Sequence, residues 1–289
     1  MPDTIEKIQD FEIINLISET HKSLVYKAKH KKFTNPIILK TFKKKYPSSW
    51  ELARIKQENR VIQALEHPGI VKSLGLVWQD NSISIVLEDT GGESLKECIT
   101  KNKISISNFL NLGIRLSDAL FYIHSRGIVH KDIKPQNIIV RYSGNEFNDV
   151  KITDFGLSTI QDEEIQSIYN PKVIEGTLPY ISPEQTGRMN INLDFRSDFY
   201  SLGITFYEIL TGELPFLYQD PIELIHSHIA RTPPEIFNKK NEPIPEEIKE
   251  IVKKLLSKSP EDRYQNAIGL KRELEYCLEQ YKRKGTISG

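Results

Sequence analysis

His130-Lys131-Asp132-Ile133-Lys134-Pro135-Gln136-Asn137 is the stretch on which the reading of this chain turns. It follows the apolar pair Ile128-Val129 and runs into Ile138-Ile139-Val140. Two buried-looking runs therefore flank a polar loop and hold its charged groups on a rigid rim. Asp132 offers a carboxylate to accept a proton, and Asn137 a carboxamide oxygen that can help hold a hard cation such as Mg²⁺. Lys134 adds a positive charge between them, as a phosphoryl group in transfer needs. Seventeen residues after Asn137 comes Asp154-Phe155-Gly156, a second candidate metal carboxylate followed by a permissive glycine. His-x-Asp alone arises by chance in many loops, but the added Asn137 and Asp154-Phe155-Gly156 make coincidence rare.

Composition bounds the rest. A chain of 289 residues can bury a substantial core, in one large domain or two lobes. Lys+Arg and Asp+Glu balance at 39 each, so no overall field recruits nucleic acid or an anionic membrane. Cys98 and Cys277 fit a reducing compartment and read as two free thiols, with a disulfide between them as the alternative. No apolar h-region follows Met1 and no apolar run is long enough for a bilayer. The expectation is a soluble cytoplasmic protein.

Upstream of the loop, residues 11–40 alternate as strands do, at Phe11, Ile13 and Leu16-Ile17, then Leu24-Val25-Tyr26, then Ile37-Ile38-Leu39-Lys40. Three strands joined by turns predict an antiparallel amino-terminal sheet. Lys40 ends an apolar strand, a costly place for a charge unless a partner waits. The span Trp50 to Glu66 reads as a helix with an apolar stripe of Leu52, Ile55, Val61, Ile62 and Leu65, and Glu58 on it is the candidate partner. The competing reading makes Glu58 one solvated charge among Glu51, Lys56 and Arg60. Lys43-Lys44-Lys45 reads as a solvated face.

Two more strands follow, Leu74–Trp78 and Ile83–Leu87, with a turn at Asp80-Asn81-Ser82. Glu88 to Glu93 lose apolar periodicity and read as a hinge, and clefts between domains are where ligands usually sit. Helices are expected over 94–100, Ser107–Ser125 (ended by Gly127 as a C′ glycine), Asp198–Leu210, Pro221–Ala230, Glu246–Leu256 and Ala267–Tyr276. Tyr142 to Asp149 reads as a polar hairpin tip, and 157–181 as an irregular, function-bearing loop.

These blocks, in this order, resemble the eukaryotic-type (Hanks-type) protein Ser/Thr kinases. The resemblance spans residues 11–280 and includes Gly176-Thr177-Leu178-Pro179-Tyr180-Ile181-Ser182-Pro183-Glu184, Ser197-Asp198-Phe199-Tyr200-Ser201-Leu202-Gly203 and Pro260-Glu261-Asp262-Arg263-Tyr264. It implies an α+β bilobal fold, with a small antiparallel-sheet lobe over 1–90 and a larger helical lobe over 91–289. It implies Mg-ATP as phosphoryl donor and a protein Ser/Thr hydroxyl as acceptor. By resemblance Asp132, Lys134 and Asn137 are catalytic, and Asn137 and Asp154 hold Mg²⁺. Lys40 touches the α/β-phosphates with Glu58 orienting it, and Ser18, Val25, Leu87, Glu88, Thr90 and Ile139 line the nucleotide. Glu184 is expected to pair with Arg263, and Asp198 to brace the catalytic-loop backbone; a helix N-cap and a surface charge are the plainer readings of Asp198 and Arg263. The segments 87–95 and 180–190 further resemble a bacterial group in which such a domain opens a long protein with ATPase-like, GAF and histidine kinase modules. A fragment of such a protein is therefore expected, with a natural chain end as the alternative.

Three departures matter. Where the family has its glycine-rich loop, this chain has Ser18-Glu19-Thr20-His21-Lys22-Ser23-Leu24-Val25, with hydroxyl residues for all three glycines. Glycines let backbone N–H groups approach phosphates, so ATP binding should loosen unless the small hydroxyl side chains donate instead. Ile38 replaces a small alanine, which narrows the adenine slot. Lys131 replaces an arginine that clamps a phosphate bidentately, so activation-loop phosphorylation is expected to be a weak switch or none. Two rivals remain open: a pseudokinase scaffold regulating a histidine kinase or ATPase module, favoured by the altered loop, and a small-molecule kinase, disfavoured by segments 176–184 and 197–203.

Overall fold

Alternation with period two builds the amino-terminal sheet. In the computed structural model, which describes residues 6–7, 11–20, 22–44, 46–79, 82–101, 104–143, 146–160, 175–189, 191–237 and 243–284, Ile37 and Leu39 are buried while Ile38 and Lys40 are half-buried. The chain divides into two compact units, Met1–Gly92 with Asp154–Gly156, and Glu93–Thr153 with Leu157–Gly289.

In the smaller unit the strands are β1 (Glu6–Lys7), β2 (Glu12–Glu19), β3 (Ser23–Lys29), β4 (Ile37–Phe42), β5 (Ser73–Gln79) and β6 (Ser82–Glu88). They lie in the order β1-β5-β6-β4-β3-β2, antiparallel except for the short β1–β5 pairing. One buried cluster joins Ala28, Ile37, Leu39, Val77 and Val86, with Phe11, Tyr26 and Phe33 packed against it. Burying such side chains is the main source of stability, at about 1.5–3 kcal/mol each. β2 forms where expected, but as the outermost strand it leaves Ile13, Ile14, Leu16 and Ile17 exposed rather than half-buried. Helix α1 (Ser49–Gln63) starts on a capping box, Ser48 accepting from Glu51 N while Glu51 accepts from Ser48 N. Such a cap stabilises a helix start by about 1 kcal/mol. Asn59 on α1 accepts from Ser73 Oγ at 2.6 Å, fastening the helix to the start of β5. Lys43 and Lys44 pair with Glu19 and Glu51 on the surface, while Lys45 and the turn residues Asp80 and Asn81 lie outside the described residues.

The larger unit is helical, with short sheets at its loops. Its elements are β7 (Glu93–Ser94), α2 (Leu95–Lys101), α3 (Ile106–His124), β8 (Ile128–Val129), β9 (Ile138–Ser143), β10 (Glu146–Ile152), β11 (Thr159–Ile160), α4 (Arg196–Thr211), α5 (Pro221–Ala230), α6 (Glu246–Leu255) and α7 (Ala267–Lys284). α4 is buried along nearly its whole length, and α3 and α7 pack on one another closely enough that a Cβ at Gly113 would meet Leu274 Cδ1 at 2.9 Å. Gly203 serves the same purpose on α4, facing Leu255 and Leu256. Three expectations need correcting. α7 runs on past Tyr276 to Lys284, its inner side continuing through the buried Cys277 and the half-buried Leu278 and Tyr281. Gly127 (φ 67°) stands two residues beyond the C-cap Ser125 rather than one, and donates to His124 O. The hairpin after Val140 is strand almost to its tip, with Gly144 and Asn145 outside the described residues. Residues 161–174 of the expected irregular loop also lie outside them. Cys98 and Cys277 are both free and buried.

Candidate active site

Strand register assembles the first group. Ser18 pairs with Val25 and Val25 with Lys40, so all three stand in one row, on one face, across β2, β3 and β4. Lys40 Nζ lies 2.7 Å from Glu58 Oε1 and 2.7 Å from Asp154 Oδ1. Burial alone would lower the lysine pKa, but the carboxylates of Asp154 and Glu58 outweigh it and hold the ammonium above its ordinary range. Burial raises the Glu58 pKa more than Lys40 pulls it down. Asp154 takes a left-handed backbone (φ 67°), unusual for a residue with a side chain. At Gly156 a Cβ would come 3.1 Å from Glu58 Oε2, so the residue after Phe155 has little room to be larger. Arg54 Nη2, a residue the sequence reading passed over, donates to Gly156 O at 2.9 Å and pins this turn to α1.

At the end of β6, Leu87 is buried and opposes Ile38, while Glu88 N donates to Lys72 O and Glu88 Oε1 accepts from Lys72 N. Asp89 then meets Lys27 at 2.7 Å and accepts from Gly91 N, and Thr90 Oγ1 accepts from Gly92 N. The Lys27–Asp89 pair was invisible in the sequence, since it depends on the β3–β4–β6 register. Of the three hydroxyl residues in the glycine positions, Thr20 bonds within its own turn. Thr20 Oγ1 is turned onto its own hairpin, where it accepts from Lys22 N and Ser23 N.

The second group belongs to the larger unit. β8 delivers the chain into the loop and a single 3-10 turn at Pro135–Asn137 carries it out into β9. Asp132 Oδ2 accepts from Lys134 Nζ at 2.5 Å and from Asn137 Nδ2 at 2.9 Å, and Asp132 Oδ1 accepts from Thr177 Oγ1 at 2.7 Å. Lys134 Nζ also reaches Thr177 Oγ1 at 2.5 Å. Both donors of the Asn137 amide face Asp132, one on its backbone carbonyl, which turns the amide oxygen the other way as an acceptor. Ile139 is half-buried on β9, opposite Ser94 and Lys151. The structure thus brings Lys40, Glu58 and Asp154 together, and separately Asp132, Lys134 and Asn137.

Asp198 fixes the shape of this loop. It accepts from the backbone N–H groups of His130 and Lys131 at 2.9 and 2.8 Å, and from His124, which the sequence reading had not singled out. Burial would raise its pKa, yet His124, His130 and these donors hold it below the ordinary carboxylate value. The brace matters because Lys131 has φ 66°, a strained conformation for a lysine, held further by Gln185 Nε2 donating to Lys131 O. The Lys131 ammonium lies 3.9 Å from Glu175. Arg263 meets Glu184 through two bonds, at 2.6 and 2.9 Å. Tyr180 donates to the buried Glu208, which also pairs with Lys96, a link no periodicity announced.

The larger unit thus presents a carboxylate bonded by a lysine, a threonine and an asparagine, and the smaller unit a lysine held between two carboxylates. The chain belongs to the protein kinase domain family, whose sequence model matches residues 11–273. Among curated relatives it is 34% identical to a probable serine/threonine-protein kinase of Clostridium perfringens, over 96% of this chain and 39% of that protein. It is 30% identical to serine/threonine-protein kinase PrkC of Bacillus subtilis, over 93% of this chain and 40% of the relative. Hybrid signal transduction histidine kinase G of Dictyostelium discoideum is 34% identical over 60% of this chain but only 7% of that protein. The chain thus spans about two-fifths of the length of the first two. Among the described residues no helix is long and apolar enough to cross a membrane.

Proposed function

We propose that this domain transfers the γ-phosphoryl group of Mg-ATP to serine or threonine hydroxyls of a protein. The observation that carries the reading is the clamped Asp132. Lys134 and Asn137 occupy Oδ2, whereas Oδ1 takes one donor, Thr177, and keeps a lone pair for an incoming hydroxyl. The hydroxyl oxygen attacks the γ-phosphorus, the bond to the β,γ-bridging oxygen breaks, ADP leaves, and the hydroxyl proton passes to Asp132. Lys134 offsets the charge that develops on the phosphoryl oxygens, and Lys40 holds the α/β-phosphates. Asn137 and Asp154 fit Mg²⁺ by their chemistry, a carboxamide oxygen turned off Asp132 and a carboxylate that is the most exposed member of its triad. Two Mg²⁺ held by these residues would neutralise phosphate charge. Ser18, Val25, Leu87, Glu88, Thr90 and Ile139 are the proposed nucleotide contacts.

The two bacterial relatives named above carry serine/threonine-protein kinase names, which supports the acceptor class. The hybrid histidine kinase supports further signalling modules beyond the domain only in part. The free buried thiols suit a reducing, cytoplasmic setting. The reading is tested by offering labelled γ-phosphate from Mg-ATP to protein acceptors that carry either hydroxyl amino acid or tyrosine alone. Label is expected on serine or threonine; label confined to tyrosine, or none on any protein, contradicts it.

A further inference from the structure

The hairpin between β2 and β3 closes on Thr20. Its backbone N–H donates to Ser23 O at 2.9 Å. The N–H groups of Lys22 and Ser23 then both donate to the Thr20 hydroxyl oxygen, at 3.2 and 3.0 Å. The hydroxyl also reaches Ser23 O at 3.3 Å and Ser23 Oγ at 3.1 Å. Lys43 N donates to Lys22 O, and a Lys43–Glu19 ion pair braces the turn from β4.

Neighbouring backbone N–H groups that converge on one point make a concavity suited to an anion. In this turn the point is already filled by a neutral oxygen of the same chain. A glycine at position 20 would leave both N–H groups for a phosphate oxygen, whereas threonine satisfies them internally. We propose that the Thr20 hydroxyl is a built-in competitor for nucleotide phosphate, occupying the Lys22 and Ser23 amides and leaving Lys40 as the main phosphate-binding group of the smaller unit. The inference rests on the nucleotide reading given above and adds a residue that tunes affinity through the loop without touching the reacting atoms.

Calorimetric titration of Mg-ATP and of adenosine into the wild-type chain, Thr20→Val and Thr20→Ser separates the cases without relying on turnover. Valine keeps the shape and the β-branch but cannot accept a hydrogen bond, and the position is exposed, so folding is preserved. With two amides released, Thr20→Val is expected to bind Mg-ATP about three- to tenfold more tightly, as one or two net hydrogen bonds allow. Adenosine affinity should stay unchanged, and Thr20→Ser should keep the wild-type value for both. Unchanged or weaker Mg-ATP binding in Thr20→Val overturns the inference alone, as does an equal gain for adenosine. A wild-type chain that binds Mg-ATP no better than adenosine overturns the nucleotide reading and this inference with it.

Discussion

Two ionic centres in this protein use the same pairing for opposite ends. In the larger unit Arg263 and Glu184 are 0% and 1% exposed and joined by a two-bonded fork, with the remaining guanidinium donors on the carbonyls of Arg196, Ser257 and Lys258. Nothing there is left for a ligand, and the pair is architecture. In the smaller unit Lys40 sits between two carboxylates, one of which, Asp154, is 39% exposed. A lysine with one acceptor that water already reaches can exchange it for a phosphate at little cost, since it is a compact charge with rotatable donors. The difference teaches that depth and saturation, rather than charge, separate the closed Arg263–Glu184 pair from the more open Lys40 centre.

The sharpest way to break the comparison is Arg263→Ala. It strands Glu184 in the core and should cost about 3–5 kcal/mol in urea unfolding. A loss below about 1 kcal/mol would mean the fork is not architectural. Next in size is an acid effect at His228, buried on α5 against Tyr200, where burial and then the nearby Lys258 lower its pKa to about 3. A histidine kept neutral in the fold but titrating near 6.5 when unfolded gives stability that is full above about pH 6.5 and falls as the pH drops towards 3. Between pH 7 and pH 4 that loss should reach about 3 kcal/mol, and His228→Gln should flatten it. Equal slopes in the two proteins would remove His228 from the account.

Lys40→Met is expected to cost only about 1–2 kcal/mol, because Glu58, its pKa already raised, can take a proton and Asp154 can turn to water. Mg-ATP is expected to raise the melting temperature of the wild type and to leave that of this variant unchanged. A large loss of stability together with an intact Mg-ATP effect would invert the comparison. The smallest expected effect concerns Lys131, whose ammonium already has Glu175 close by and cannot clamp a phosphate as a fork would. Phosphatase treatment should leave turnover unchanged, and a large fall would restore phosphorylation as the switch.

Much of this was legible in the sequence because some charges are too costly to place without a partner. Lys40 at the end of an apolar strand demanded an acid, and Glu58 answers it. The loop from His130 to Asn137 was marked by residue types at fixed spacing, and Asp198 proved more than a helix cap because two backbone N–H groups converge on it. What stayed hidden depends on register or on local turn geometry. Lys27 meets Asp89 only once β3, β4 and β6 are aligned, and the capture of loop amides by Thr20 needs the actual path of the hairpin. The apolar alternation of β2 foretold a strand but not that it lies at an edge.

The central claim is that the clamped carboxylate of Asp132 takes the acceptor proton in phosphoryl transfer. Single-turnover transfer of labelled γ-phosphate from Mg-ATP to a serine- or threonine-containing protein, compared between wild type and Asp132→Asn, tests it directly. The account predicts a fall of about 10²–10⁴-fold in the rate, with the unfolding midpoint close to wild type. A variant that transfers phosphate at the wild-type rate would contradict it.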